Sequence, residues 1–220
     1  MDLIKSDLFG SGLRSTVEEE LARALGSRPD FLSRETAGST RAAGDAIQSI
    51  VSGELRPLLG DFCLEYWPEF PRRSLADVAF RGRDGIYYAV DVKTHRLETA
   101  FNMPNLVSVE RLARFYADDH NCFVVLLVTY SIEGIALRVK SVRLVPVEWL
   151  AWECLTIGAL GWGQLQIANA AKVAIAEGYP RKAWMLDLCA ALLEFYPREI
   201  AKIDTRIRHF RGLKSYWERR

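Results

Sequence analysis

The rhythm of hydrophobic and polar positions changes several times along the chain, and each change predicts an element. From Ser15 to Gly26, STVEEELARALG, apolar residues recur at helical spacing behind a Ser or Thr cap, with acids in the first turn. The stretch from Ser39 to Gly60 sets Ala43, Ile47, Ile50 and Val51 on one helical face, with Gly53 and Pro57 expected to break or bend its end. DFCLEYW predicts a first strand. LADVAF and IYYAVDV predict two more, joined by RGRDG, a turn sequence. A loop, LETAFNMPN, and a helix, LVSVERLARFYADD, come next. NCFVVLLVTYS is apolar almost throughout, as in a central strand covered on both faces, and it turns at IEG into the strand IALRVKSVRLVP. A helix is expected from Val147, then a Gly-rich loop, TIGALGWGQLQIANA. The chain finishes with a helix over RKAWMLDLCAALLEF and, after Pro197, a separate basic helix, REIAKIDTRIRHFRGL.

Helices, a three-strand meander, a helix, two strands and more helices make an α/β (α+β) protein. The expected architecture is a central mixed sheet of five to six strands flanked by helices.

Composition narrows the class. A chain of 220 residues, 50% hydrophobic and 26% charged, suits one soluble globular domain spanning residues 1–220. No apolar run is long enough for a membrane span, and the N-terminus does not read as a secretory signal. Cys63, Cys122, Cys154 and Cys189 are far apart in apolar surroundings, which predicts buried free thiols and a cytoplasmic location. Net charge is +1, yet residues 198–220 hold eight Lys or Arg against three acids. That local basic stripe suits phosphate contact, and equally a solvated helix face.

The candidate chemistry lies in the hairpin. A strand alternates faces, so Asp91 and Lys93 project together while Val90 and Val92 point into the core. A short hairpin can bring Asp77 beside Asp91. Two clustered carboxylates repel and are costly to bury, so they call for a cation, and an all-oxygen site with open positions suits Mg²⁺. Lys93 could then orient or deprotonate a nucleophilic water, or offset charge in the transition state. The plainer alternative is an edge hairpin on which Asp91 and Lys93 pair in solvent.

LAD at Asp77, a turn, then YAVDVKT around Asp91 and Lys93 resembles the PD-(D/E)XK nuclease superfamily, in particular type II restriction endonucleases. Ala76 stands where the motif's name has proline. The resemblance covers about residues 39–150, the expected catalytic core, and implies a restriction-endonuclease-like fold; residues 151–220 would be a helical, DNA-contacting part. It implies Asp77 and Asp91 as metal ligands for Mg²⁺, helped by the backbone carbonyl of Val92, with Lys93 beside the attacking water. It also implies an acid from a preceding helix, for which Asp45 is the candidate, with Glu54 behind it; Glu65 is a further acid that could lie nearby.

Three segments could meet a duplex. Thr94, His95 and Arg96 could hold the backbone, with Asn102 and Asn105 reaching base edges. Gln164, Gln166 and Asn169 carry amides of the kind that pair with adenine, though they could equally serve their own loop. Arg206, Arg208, Arg211 and Lys214 lie largely off an apolar stripe of Ile200, Ile203, Ile207 and Phe210 and could meet phosphates.

The resulting expectation is a Mg²⁺-dependent type II site-specific deoxyribonuclease from a restriction–modification system, cutting double-stranded DNA to leave 5′-phosphates. It would act as a homodimer, beside a cognate DNA methyltransferase that it need not touch. The alternatives are a structure-selective repair or recombination nuclease of the junction-resolvase type, and a non-catalytic DNA-binding protein of the same fold.

Overall fold

The computed structural model describes residues 6–28, 31–33, 35–69 and 75–220. A short helix α1 (Asp7–Gly10) precedes α2 (Leu13–Gly26) and α3 (Thr40–Leu59). The first three strands are β1 (Cys63–Trp67), β2 (Val78–Gly82) and β3 (Tyr87–Arg96), an antiparallel meander. After β4 (Asn105–Ser108) and α4 (Val109–Phe115), the chain returns as β5 (Asn121–Glu133), parallel to β3, and turns into β6 (Ala136–Pro146), antiparallel to β5. These strands form a five-stranded mixed sheet in the order β1-β2-β3-β5-β6. A second sheet, β4-β8-β7, uses β7 (Leu155–Gly158) and β8 (Gln164–Ile167), and α5 (Arg181–Glu218) completes the chain. The expected mixed α/β class and five-stranded sheet are present.

Each face of the large sheet carries its own core. On one face, Ile47, Val51 and Leu55 of α3 and Leu21 of α2 pack on Val90, Val124, Leu126 and Val128. On the other, Leu112 of α4, Leu165 and Ile167 of β8 and Trp184 of α5 cover Ala89, Phe123, Val125 and Val145. Residues of β5 alternate between the two, which is why its sequence is apolar at nearly every position. Two polar contacts fasten the periphery. Glu18 of α2 accepts the Leu144 N–H of the edge strand β6 at 2.7 Å. Arg181, at the start of α5, makes a buried ion pair with Glu148 and stacks 4.3 Å from the centre of the Tyr116 ring.

Several elements differ from the sequence expectation. α3 continues past Gly53 and Pro57 to Leu59, and Pro57, in the last turn, is followed by only two more helical residues. Leu106–Ser108 are strand, and α4 starts only where the Ser108 hydroxyl accepts the Arg111 N–H at 3.2 Å. The helix expected from Val147 is instead two 3-10 turns, Val147–Trp149 and Trp152–Cys154. The Gly-rich loop is the β7–β8 hairpin, turned by Gly161 and Gly163 at φ +60° and +121°. The two final helices are one helix of 38 residues that runs through Pro197, where the Arg198 guanidinium donates to the Glu194 carbonyl at 3.0 Å. Cys63, Cys122 and Cys154 are buried free thiols, but Cys189 is exposed. Among the described residues, no helix is long and apolar enough to cross a membrane.

Candidate active site

The β2–β3 ladder ends at the Val78–Val90 pair, and beyond it a side chain replaces the strand. Asp77 gives its own N–H to the Val90 carbonyl at 3.0 Å. Its Oδ2 then accepts the Val92 N–H at 2.7 Å, in the position of a ladder bond. Its Oδ1 accepts from Nε2 of Gln48 on α3 at 2.8 Å. The N–H and C=O of one strand residue point to the same edge, so the Val92 carbonyl lies on the Asp77 side of β3.

Asp91, Lys93 and His95 leave β3 on the face opposite Val90, Val92 and Thr94. Asp91 is 6% exposed, and Lys93 Nζ donates to its Oδ1 at 2.7 Å. Its Oδ2 is buried with no hydrogen-bond partner. Burial pushes the Asp91 carboxyl up to about 7; the Lys93 ammonium opposes this, and the Asp77 charge adds to it. Asp77 and Asp91 are therefore near enough to act on each other.

A cleft of about 230 Å³ opens beside Lys93. Strand register places Lys93, Leu127 and Arg143 in one row across β3, β5 and β6, and His95, Thr129 and Ser141 in the next. Both rows line the cleft, and Pro104, Ala170 and Ala171 form an opposing wall. Burial pushes the His95 imidazole below its ordinary range, which favours the neutral ring.

Two carboxylates, one with a buried unsatisfied oxygen, and a backbone carbonyl nearby are a hard-oxygen donor set. They fit Mg²⁺, which binds through one or two carboxylates and keeps much of its water. Groups of three or more His, Cys, Asp or Glu side chains able to hold a metal do not occur among the described residues. Any cation here would rest on Asp77 and Asp91.

Other predicted site residues lie elsewhere or are engaged in structure. Asp45 is exposed on α3 and paired with Arg41 at 3.9 Å; one turn further on, Gln48 is the residue that reaches Asp77. Glu54 pairs with Arg28 and Glu65 with Arg81. Thr94 faces α3, where a Cβ on Gly44 would come within 3.3 Å of its hydroxyl. Arg96 holds Glu98 and the Ala37 carbonyl. Asn102 donates to the Thr94 carbonyl at 3.3 Å and fixes the loop after β3. Asn105 and Gln166 are register partners across β4 and β8, and the Gln166 amide donates to Asn105 Oδ1 at 2.5 Å. Gln164 is half-buried on β8, and Asn169 accepts the Ala171 N–H. Arg208, Arg211 and Lys214 are exposed on the far half of α5.

Gln48 and Arg143 were not among the residues expected at the site. Gln48 shares a helix face with Asp45, three residues away, so the face was readable while the choice of residue was not. Arg143 becomes visible only through the pairing of β3, β5 and β6. Compared with known proteins, the chain matches no family model and no curated protein.

Proposed function

We propose that this protein is a Mg²⁺-dependent deoxyribonuclease of the restriction type, with a restriction-endonuclease-like core from α3 to β6. The supporting observation is the buried, unpartnered Asp91 Oδ2, set beside Lys93 and within electrostatic reach of Asp77, at the edge of a basic cleft. The order of α3, an antiparallel meander, α4 and a strand parallel to β3 is in keeping with the resemblance of the motif.

In this reading Asp77, Asp91 and the Val92 carbonyl hold the cation, which when bound eases ionisation of water and neutralises charge on phosphate. Gln48 and the Val92 N–H orient the Asp77 carboxylate. Lys93, which here donates to Asp91 Oδ1, would with its ammonium orient the attacking water and offset negative charge building on the phosphate. Arg143, two strands away at roughly 10 Å, grips a neighbouring phosphate. Attack by water forms the new P–O bond as the bond to the 3′ oxygen breaks, leaving a 5′-phosphate and a 3′-hydroxyl. Cutting both strands of a symmetric site calls for two copies related by a two-fold axis.

One observation favours a second reading. Gln166 gives an amide N–H to Asn105 Oδ1, and Asn169 Oδ1 accepts from its own turn, so part of the bonding capacity of these three amides is already used within the protein. That suits a nuclease of the same superfamily that selects DNA by shape, such as a junction resolvase.

The test is incubation with plasmid DNA in Mg²⁺ or in EDTA, using wild type, Asp91→Ala and Lys93→Ala. Discrete fragments with Mg²⁺ alone, lost by at least about 100-fold in both variants with duplex binding retained, are the expected result. Cleavage of branched DNA alone would favour the second reading. Undiminished cutting by either variant would remove that residue from the site.

A further inference from the structure

The last helix outruns the body of the protein. Trp184 and Leu188 of α5 are buried and Phe195 and Glu199 partly so, but every residue from Ile200 to Arg220 is exposed. About 30 Å of helix therefore stands clear of the described residues. It is not a polar helix. Leu193, Ile200, Ile203, Ile207, Phe210 and Trp217 fall on the a and d positions of one heptad frame, each between 43% and 75% exposed, with Lys214 the polar interruption. A lone helix cannot bury such a seam, and an apolar stripe of this length marks an interface.

We propose that this seam is a homodimer interface, filled by the same helix of a second copy running antiparallel. The flanking charges select both the occupant and its direction. Beside the seam lie Glu199 and Asp204 in the first half, then Arg206 and Arg211 in the second. A parallel, in-register pair sets each g position against the following e position of its neighbour: Glu199 against Asp204, and Arg206 against Arg211. Both of these charged pairs are repulsive, and the third such pair, Leu213 against Glu218, offers no attraction. Antiparallel helices set g against g and e against e, so Glu199 meets Arg206 and Asp204 meets Arg211, each twice by symmetry. Glu199, its side chain 13% exposed at the edge of the body, holds Lys202 of its own helix.

The same alignment layers Ile203 on Ile207 and Ile200 on Phe210, and brings Trp217 of one copy to Leu193 of the other. At that end the body offers an open apolar groove of about 500 Å³, lined by Ala113, Trp162, Leu192 and Tyr196 among others. The groove extends the seam to where the tip of a second helix would lie. Arg208, which donates to the Thr205 hydroxyl, lies on the outer side of the helix, away from the seam. None of this draws on the carboxylate site, so the interface and the nuclease reading can fail separately.

The experiment is sedimentation equilibrium of the full chain without DNA or divalent cation, from about 0.1 to about 50 µM, a range that brackets micromolar association. The expected mass is twice 24.9 kDa. Ile203→Asp/Ile207→Asp weakens association at least about 100-fold, while the thermal transition of the sheet core stays in place because neither residue touches it. Direction is read by disulfide trapping in a Cys189→Ser background, which removes the one exposed thiol. Ile200→Cys and Phe210→Cys chains cross-link when mixed, and neither does so alone. A wild type that is monomeric throughout, a dimer indifferent to the double aspartate, or cross-linking of either cysteine variant alone would overturn the proposal.

Discussion

Asp91 has two oxygens with different fates: one is held by Lys93, and the other is buried with nothing to bond. Its carboxyl is pushed up to about 7 from an ordinary 3.8, mainly by burial. A folded-state pKa above the unfolded one means that the unfolded chain gives up this proton first. The contribution is therefore complete below about pH 4 and declines as pH rises to about 7, by up to about 4 kcal/mol. Denaturant midpoints measured from pH 4 to 8 without divalent cation should fall across that window in wild type, and Asp91→Asn should flatten the trend. An equal slope in both would show that Asp91 is not its source. Gln48 can be tested similarly. Gln48→Glu would set a third negative charge against Asp77, lowering the melting temperature in EDTA and enlarging the rise on adding Mg²⁺. An unchanged Mg²⁺ response would separate Gln48 from any cation site. Asp77, Asp91 and Lys93 could be singled out from strand alternation and one turn. Gln48 could not, because an amide on a helix carries no sign of the carboxylate it will meet.

Among the elements, periodicity was most informative where one face is buried and least where glycine and proline interrupt. The β7–β8 hairpin reads as a loop because Gly158, Gly161 and Gly163 lie so close together, yet Leu165 and Ile167 bury one face of β8 against α4 and α5. A Cβ at Gly158 would come within 2.6 Å of Gln166 Oε1, so a side chain there would require the end of Gln166 to turn aside. Pro197 fails to end α5 because little covers the helix there, so the Leu193 carbonyl that loses its N–H partner is open to water. What anchors α5 is its first residue. Arg181→Met leaves the fully buried Glu148 without its cation and should cost about 3–5 kcal/mol in a denaturant titration. Adding Glu148→Leu should recover most of that loss; a double variant no better than the single would show that Arg181 acts through Tyr116 stacking instead.

Taken whole, the molecule is a sheet with a core on each face and one long helix reaching beyond them. The mixed sheet followed from the order of predicted elements, but the cleft did not. It depends on β5 lying parallel to β3, which sets Lys93 and Arg143 in one row although fifty residues separate them in the chain. The contact between Glu18 and Leu144 has a bearing on how such a chain is made. The apolar face of α2 is finished early in synthesis, but the strand it covers is among the later parts of the sheet to leave the ribosome. Until then Leu21 and Leu25 have no sheet edge to rest on, and β1 to β3 lack the central strand that pairs with them. Folding must wait for about two thirds of the chain and then close its longest loops together, the pattern of a slow folder. During that wait the apolar face of α2 and an unpaired β3 edge stand open together, which makes yield during rapid expression more sensitive to synthesis rate and temperature than the finished structure would suggest.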